Sequence, residues 1–311
     1  MLFPAPEHVP WIMSVRFARY NRSMTRVMAV FLLLATARAH AVSAVDSDGR
    51  KISLAAPAAR IVSLAPHVTE QLYAAGAGAK VVAASDYSDY PEEARRLPRV
   101  ASSGAVNLEM VLALKPDLVV AWRLEATAAA LTRLESLGVP VFYSEPRRLA
   151  QIPDAIEALG ELAGTAATAR PLAASLRKEL SRLGAKYRGR RPVSIFYQIS
   201  ERPLMTLGGA QFVSDAIALC GGRNIFADSP HMAPVVNVES VLAADPEAIV
   251  SAYESWHGFW RQFAGLRAVH ANNLFTVPSN EMHRHGPRAI RATELLCRHI
   301  DDARLKAASQ R

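Results

Sequence analysis

One phrase of this sequence occurs twice, and it limits the folds that the chain can adopt. Residues 107–120 read NLEMVLALKPDLVV, and residues 237–250, which lie 130 positions later, read NVESVLAADPEAIV. Each copy has an Asn suited to cap a helix, a Glu in the first turn, a Pro that ends the helix, and an apolar run typical of a buried parallel strand. The spacing is too long for a solenoid repeat and fits two similar α/β lobes. A chance likeness between two common helix–Pro–strand phrases is the alternative.

Strand-like and helix-like segments alternate along the rest of the chain, which is typical of parallel sheets covered by helices. A longer helical pattern over residues 168–187 has leucines at spacings of three and four. At ~1.5 Å per residue it could run along both lobes, with Pro171 in the first turn, where a missing N–H costs no hydrogen bond. We therefore predict an α/β fold of two similar lobes with parallel sheets, joined by a long rigid helix. The predicted boundaries are 60–147 for the N-terminal lobe, 148–188 for the connecting helices and 189–311 for the C-terminal lobe.

The composition is that of a globular protein. The chain has 311 residues, of which 50% are hydrophobic and 21% charged, enough for two cores. The formal net charge is +8, but five Arg and one Glu among the first 41 residues account for half of it. Elsewhere the excess of basic residues is mild, and no basic stripe is interleaved with aromatic residues. We therefore expect no nucleic-acid partner.

Residues 1–41 have the pattern of a secretory signal peptide. Arginines precede an apolar run over 27–35, and small residues flank two possible cleavage points. The run is too short to span a bilayer, and an N-terminal anchor helix is the alternative. We expect export to the periplasm and a mature chain that begins at Val42 or Val45. In an exported protein the two cysteines, Cys220 and Cys297, suggest a disulfide, with two buried thiols as the alternative.

No catalytic motif is present in the sequence. Ser, His and Asp occur without a nucleophile elbow, and Gly76-Ala77-Gly78 is too short for a dinucleotide-binding loop. His231, His283 and His285 are candidate metal ligands, but a zinc site needs three or four converging ligands, and solvated loop histidines are the commoner case. We therefore expect no enzymatic activity, no metal site and no cofactor.

Several segments together resemble the periplasmic iron/cobalamin-binding proteins of ABC importers. The segments that carry the resemblance are SDYSDYP (85–91), NLE with LALKPDLVVAWR (107–123), ALCGGRNIF (218–226), VLAADPEAIV (241–250) and GPRAIRATELLC (286–297). The resemblance implies a monomer with two lobes joined by a rigid helix. It also implies that the protein captures a corrinoid, cobalamin, between the lobes and delivers it to the permease and ATPase of an importer.

The same resemblance implies roles for individual residues. Those at ligand-contact positions are Tyr87, Trp122, Met205, Asn280, Glu281, Met282, His283 and Arg284. Glu109 and Glu239, one in each copy of the repeated phrase, match paired acids that dock on arginines of the permease. Cys220 and Cys297 match a disulfide pair.

The sequence departs from the family pattern at several cleft positions. The pattern has tryptophans at Ser103 and near Ala233, phenylalanines at Ile199 and Met205, and an acid at Asn280. Aromatic walls suit the broad, partly apolar corrin disc. The cleft must therefore hold cobalamin differently or hold a different ligand.

Three other functions are compatible with parts of the sequence. A binder of haem or of an iron-siderophore would have the same two-lobed fold. A tetrapyrrole metal chelatase, an enzyme with similar paired lobes, is disfavoured by the signal peptide and by the lack of a convergent His/Glu pair. A signalling sensor lobe would need a membrane segment, which the sequence lacks.

Overall fold

The computed structural model describes residues 40–102 and 104–309. The predicted signal peptide lies outside these ranges, except for its last two residues. Within the described ranges, no helix combines the length and the apolar character that crossing a membrane requires.

The first described element is an antiparallel hairpin of β1 (Val42–Val45) and β2 (Lys51–Leu54). It is not among the elements predicted above. The hairpin is held by the N–H of Ser47, which donates to the carbonyl of Tyr143 at 2.9 Å, and by other contacts to the first lobe. A chain that begins at Val42 keeps β1 whole, whereas one that begins at Val45 loses most of it. The structure therefore favours Val42 of the two predicted starts.

The N-terminal lobe is built around one six-stranded sheet. Its strands are β3 (Ile61–Ser63), β4 (Val81–Ser85), β5 (Arg99–Ser102), β6 (Ala105–Val106), β7 (Leu118–Ala121) and β8 (Val141–Tyr143). They lie in the order β6-β5-β4-β3-β7-β8, and every neighbouring pair is parallel except β5 with β6. Its helices are α1 (Pro66–Ala74), α2 (Leu108–Ala113) and α3 (Glu125–Ser136), with 3-10 turns at Gly78–Lys80 and Glu92–Arg96.

Two helices connect the lobes, α4 (Gln151–Ala163) and α5 (Ala166–Tyr187). Gly164 ends α4 in the left-handed conformation, with φ 67°, so the chain reverses within two residues. As a result α5 begins two residues earlier than predicted, and Pro171 falls in its second turn rather than its first. The 22 residues of α5 span ~33 Å, long enough to reach both lobes.

The C-terminal lobe repeats the first in a shorter form. Its strands are β9 (Val193–Gln198), β10 (Ser200–Glu201), β11 (Leu204–Met205), β12 (Gly222–Asn224), β13 (Ala248–Ser251) and β14 (Leu274–Thr276). Its helices are α6 (Phe212–Leu219), α7 (Val238–Ala244), α8 (His257–Arg261), α9 (Arg267–His270), α10 (Ser279–Met282) and α11 (Pro287–Ser309), with a 3-10 turn at Glu254–Trp256. Strands β10 and β11 form a separate hairpin.

The two main sheets share one topology. The order β12-β9-β13-β14 in the second lobe matches β4-β3-β7-β8 in the first, and all these pairs are parallel. The repeated phrase forms α2 with β7 in one lobe and α7 with β13 in the other. In both copies the Asn caps its helix: the Oδ1 atoms of Asn107 and Asn237 accept the N–H groups of Met110 and Ser240 at 3.0 and 2.8 Å. The prediction of two similar α/β lobes is confirmed.

One apolar core runs through both lobes and the connecting helices. Its fully buried members include Ile61 and Leu118 of the first sheet, Leu159 of α4, Leu183 of α5, Ile195 and Val250 of the second sheet, and Leu296 of α11. Each sheet also has a separate core on its other face, around Val119 in the first lobe and around Trp260 in the second. Because α4 and α5 are packed into the core of both lobes, the two sheets are held at a fixed spacing.

The predicted disulfide is present between Cys220, at the end of α6, and Cys297, on α11. Both side chains are fully buried, and the bond closes a separation of 77 residues. It ties the last long helix of the chain to the interior of the second lobe.

Removing this bond should destabilise the protein substantially. Chain-entropy reasoning for a loop of this length gives ~3–5 kcal/mol, or ~10 °C in melting temperature. Cys220→Ser and the double variant Cys220→Ser/Cys297→Ser should lose similar amounts, because either one removes the same cross-link. Calorimetry under non-reducing conditions measures the loss. Two titratable thiols in the native, unreduced protein would contradict the prediction.

Candidate ligand-binding cleft

A cavity of about 500 Å³ opens where the strands of the first sheet end. Its lining comes from the last residues of β4 and β5 and from the segments that follow β3, β4 and β7, and includes Leu64–Pro66, Ser85–Tyr87, Ala101–Ser102 and Trp122. Open α/β sheets bind ligands outside the carboxyl ends of their strands. A second cavity, of about 460 Å³, lies between Arg147–Arg148 and the edge of the second sheet, and no aromatic side chain lines it. The first cavity is therefore the better candidate for an apolar ligand.

Tyr87 is the most exposed large hydrophobic side chain of this cavity, at 72%. Its backbone is left-handed, with φ 61°, a conformation that a bulky residue adopts at a cost of order 1 kcal/mol or more. The carbonyl of Tyr87 accepts a hydrogen bond from Nη2 of Arg284 in the other lobe, at 3.1 Å. An exposed aromatic ring on a strained, externally held turn is the arrangement expected of a ligand contact.

Trp122 lies at the floor of the cavity and belongs to a cluster of rings from both lobes. Its ring centroid is 5.5 Å from that of His67 and 5.8 Å from that of His285, and His285 is 4.5 Å from Phe212. The indole Nε1 is buried and has no hydrogen-bond partner among the described residues. Trp122 therefore both packs against the other lobe and borders the cavity.

A buried polar chain runs beneath these rings. The Nε2 of His67 donates to the carbonyl of Ser144 at 3.0 Å, because a carbonyl can only accept. Ser144 Oγ donates to Gln71 Oε1 at 2.6 Å, and Gln71 Nε2 donates to the carbonyl of His285 at 2.6 Å. The hydrogen bond between Gln71 and His285 joins the first lobe to the segment that precedes α11. Burial favours a neutral His67, although the carbonyl acceptor by itself would favour the protonated ring.

Burial dominates the electrostatics of these histidines. It lowers the pKa of His67 from 6.5 to about 4, against the opposing hydrogen bond to Ser144. It also lowers the pKa of His285, with a further contribution from the neighbouring histidines His67 and His283. His285 is only 6% exposed, so the expectation that it is a solvated loop histidine is wrong. His231, by contrast, is exposed as expected.

The predicted ligand-contact loop of the second lobe divides into two parts. Asn280 is exposed and Glu281 is half-buried at the edge of the cleft. Met282 is fully buried in the shared core and offers no surface to a ligand. His283 is half-buried, and its Nε2 accepts the hydroxyl of Tyr197 at 3.0 Å. Burial lowers the pKa of His283 to about 4, consistent with a neutral ring.

Arg284, the last residue of that loop, contacts the first lobe rather than open space. Its Nη1 lies 2.5 Å from Asp89 Oδ1 and 3.2 Å from Glu70 Oε1. Glu70 is a functional candidate that the sequence analysis missed, because it lies inside a helix with no motif around it. The only sequence signal was its position on α1, the helix that follows β3.

The second lobe contributes further aromatic surface. Tyr253 is 53% exposed and follows β13, with its ring 4.9 Å from that of Trp256. Tyr253 was not among the predicted site residues, although an aromatic residue follows the repeated strand in both lobes. Met205 is half-buried on β11 and forms a bridge to Val235. Trp260 is fully buried, and its Nε1 donates to Gln198 at 2.8 Å, so it belongs to the core.

Known proteins share this arrangement of two lobes around strand-end loops. A family profile described as periplasmic binding protein matches residues 61–280. The chain belongs to the periplasmic binding protein family.

Relatives within the family are similar over most of their length. A protein of Vibrio cholerae named vitamin B12-binding protein is 40% identical over 248 residues, covering 78% of this chain and 90% of the relative. The vitamin B12-binding protein of Photorhabdus laumondii is 39% identical over 255 residues, covering 80% and 90%. The crystal structure of the periplasmic vitamin B12-binding protein BtuF of Vibrio cholerae superposes with a TM-score of 0.76 at 39% identity, covering 79% of this chain and 98% of that one.

A haem-binding structure is a more distant match. The periplasmic haem-binding protein BhuT, solved with two haems, has a TM-score of 0.70 at 20% identity, covering 79% of this chain and 98% of that one. At this identity the match shows a common fold only. The predicted α/β fold of two lobes joined by a rigid helix is confirmed for this member of the periplasmic binding protein family.

The docking candidates of this periplasmic binding protein, Glu109 and Glu239, occupy equivalent places. Each lies in the first turn of its helix, α2 or α7, and each is exposed. Both helices begin on the side of the sheet where the strands end, because they lead back to the start of β7 or β13. The two acids are therefore presented on the cleft side of their lobes.

The depressed pKa of His67 predicts a loss of stability in acid. The unfolded chain binds a proton near pH 6.5 and the folded chain only near 4, so stability is complete above pH 6.5 and falls as the pH decreases toward 4. At pH 4.5 the loss from His67 should be ~2–3 kcal/mol. Urea denaturation of His67→Gln should show a correspondingly weaker pH dependence than the wild type. The control His231→Gln should not differ from the wild type, and equal pH dependence of all three would contradict the assignment.

Proposed function

We propose that this protein is a periplasmic solute-binding protein that captures a corrinoid, cobalamin, between its two lobes and delivers it to an ABC importer. It acts by binding and release as a monomer, without catalysis and without a resident cofactor or metal. The observation that carries the proposal is the exposed ring of Tyr87 at the mouth of a strand-end cavity. Relatives of 39–40% identity that bear the name vitamin B12-binding protein support the choice of ligand.

The cavity chemistry suits a corrin disc with amide arms. Tyr87 and Trp122 supply flat apolar surface on the first lobe, and Tyr253 supplies it on the second. The exposed amide of Asn280 can exchange hydrogen bonds with the amide arms of the ligand. Tyr253 could provide some of the aromatic surface that is missing at Ile199 and Met205.

Two residues of the predicted contact set have no part in this proposal. Met282 is fully buried in the shared core, and Arg284 is engaged by acids of the first lobe. His283 stays in the set as a half-buried residue whose Nε2 accepts from the hydroxyl of Tyr197. Met205 and Glu281 stay in the set as partly exposed residues at the rim.

Export fits the same function. Residues 1–41 are proposed to be a signal peptide that is removed before Val42, because β1 begins there and packs on the first lobe. The mature protein would then reach the periplasm, where the Cys220–Cys297 disulfide can form and persist.

Docking on the permease is proposed to use Glu109 and Glu239. An acid in the first turn gains only ~0.3–1 kcal/mol from the helix dipole, which explains one such residue but gives no reason for an equivalent acid in each lobe. A permease with two-fold symmetry can present a basic patch to each lobe. Such charge pairs set encounter rate and register more than affinity.

The ligand assignment is tested by titration with cyanocobalamin. The wild-type protein should bind it, as measured by calorimetry and by a change in the corrin absorption spectrum. Tyr87→Ala should weaken binding by ~1–3 kcal/mol, since it removes a central aromatic contact. Leu305→Ala, which changes an exposed side chain on α11, is the control and should bind normally. If the wild-type protein does not bind cyanocobalamin but binds haem or a ferric siderophore, the corrinoid assignment is wrong.

The docking assignment is tested by charge reversal. Glu109→Arg with Glu239→Arg should leave cyanocobalamin affinity unchanged and abolish uptake into vesicles that contain the reconstituted importer. Glu93→Arg with Asp302→Arg makes the same change in net charge at other exposed acids and should still support uptake. Normal transport by the Glu109→Arg/Glu239→Arg variant would contradict the docking assignment and leave both acids with a role only at the starts of their helices.

A further inference from the structure

The side chain of Glu70 is completely buried between the two lobes, with 0% exposure. A glutamate is rarely buried to this extent unless its charge is paired. Its two carboxylate oxygens accept hydrogen bonds from Arg288, at 3.0 Å from Nε to Oε2 and 2.5 Å from Nη2 to Oε1. Such bidentate pairs combine strength with fixed geometry. Glu70 comes from α1 of the first lobe and Arg288 from the start of α11 in the second, so the pair crosses the lobe boundary.

A second arginine, Arg284, connects Glu70 to the loop that carries Tyr87. Nη1 of Arg284 bridges Glu70 and Asp89, and Nη2 of the same guanidinium donates to the carbonyl of Tyr87. The guanidinium of Arg288 also lies 4.0 Å from the ring centre of Tyr90. The loop that carries Tyr87 is therefore attached to the second lobe through two arginines, and Glu70 is the anion that both of them share.

The local backbone is adapted to this carboxylate. A Cβ atom on Gly286 would lie 2.9 Å from Glu70 Oε2, so a larger residue there would force the carboxylate to shift from its present position. The positive end of the helix dipole of α11 also disfavours arginines near its start, and a buried carboxylate offsets this. The pairing with Glu70 raises the pKa of Arg288, against the opposing effect of burial.

We propose that Glu70 is a positioning residue of the cleft. By holding Arg284 and Arg288, it fixes the 86–91 loop in the turn that presents the ring of Tyr87 to the ligand. The identity of the ligand rests on the proposed function, but the positioning role also predicts a change in the unliganded protein. Without Glu70, two arginines with 12% exposed side chains would share only Asp89 and the distant Glu281. The strained turn at Tyr87 would then lose its support.

The first test uses hydrogen exchange on the unliganded protein. Glu70→Gln keeps the size and one acceptor of the side chain but removes its charge. Amides of residues 86–90 and 280–286 should exchange at least tenfold faster than in the wild type, while those of β9 and β13 stay unchanged. Glu247→Gln is the matched control, because Glu247 also pairs with an arginine, Arg191 at 2.7 Å, but directly precedes β13, at the end of the second sheet where its strands begin. It should leave both segments unchanged.

The second test is a double-mutant cycle with cyanocobalamin as the probe. Glu70→Gln should weaken binding about tenfold in the wild-type background and much less in the Tyr87→Ala background, because its effect passes through Tyr87. Equal effects in both backgrounds, or unchanged exchange of residues 86–90, would overturn the positioning role. If Glu70→Gln does not fold, Arg284→Lys serves instead, since lysine keeps the charge but cannot form the forked contact with Asp89 and Tyr87.

A wild-type protein that does not bind cyanocobalamin would defeat the proposed ligand, and the exchange experiment would still decide the role of Glu70. The two failures are therefore distinguishable.

Discussion

The apolar core that passes from one sheet to the other through α4 and α5 is the constraint on which the rest of the structure depends. Rotating one lobe against the other would expose buried apolar surface at a cost of ~25 cal/mol for each Å². The strand ends that border the cleft therefore keep a fixed separation. A fixed separation is what allows direct contacts as short as that between Arg284 and Asp89 to span the lobes, and what allows a strained turn at Tyr87 to persist.

The fold could be predicted largely from the sequence because its signals are local. Helix-capping asparagines, the prolines that end helices, and short apolar runs each act within a few residues, and their repetition identified the two lobes. The β1–β2 hairpin was missed because its strands have only four residues each and gain stability from distant contacts such as that between Ser47 and Tyr143. The start of α5 was misplaced for a similar reason, since it depends on the left-handed turn at Gly164.

The site was less accessible to sequence reasoning, because a sequence shows where a loop begins and not which way its side chains point. Tyr87 was predicted from the family resemblance of its loop, which follows a strand. Residues 282–285 follow a strand as well, but their side chains turn toward the core or the opposite lobe. The decisive pairing, Arg284 with Asp89, joins residues 195 positions apart. No local pattern carries that information, and a single buried acid such as Glu70 leaves no motif.

The disulfide has a consequence for how the cleft is completed. Cys297 lies nine residues beyond Arg288 on α11, ~13 Å along the helix axis, and its partner ends α6, the helix that carries Phe212 to the ring cluster. The helices that bring Arg288 and Phe212 to the lobe boundary are thus cross-linked to each other. Thiols stay reduced in the cytosol and oxidise outside it. Protein prepared in a reducing cytoplasm would have the same sequence and the same lobes, but the second-lobe side of its cleft would be less firmly held. Ligand affinity would therefore depend on whether a sample had been oxidised.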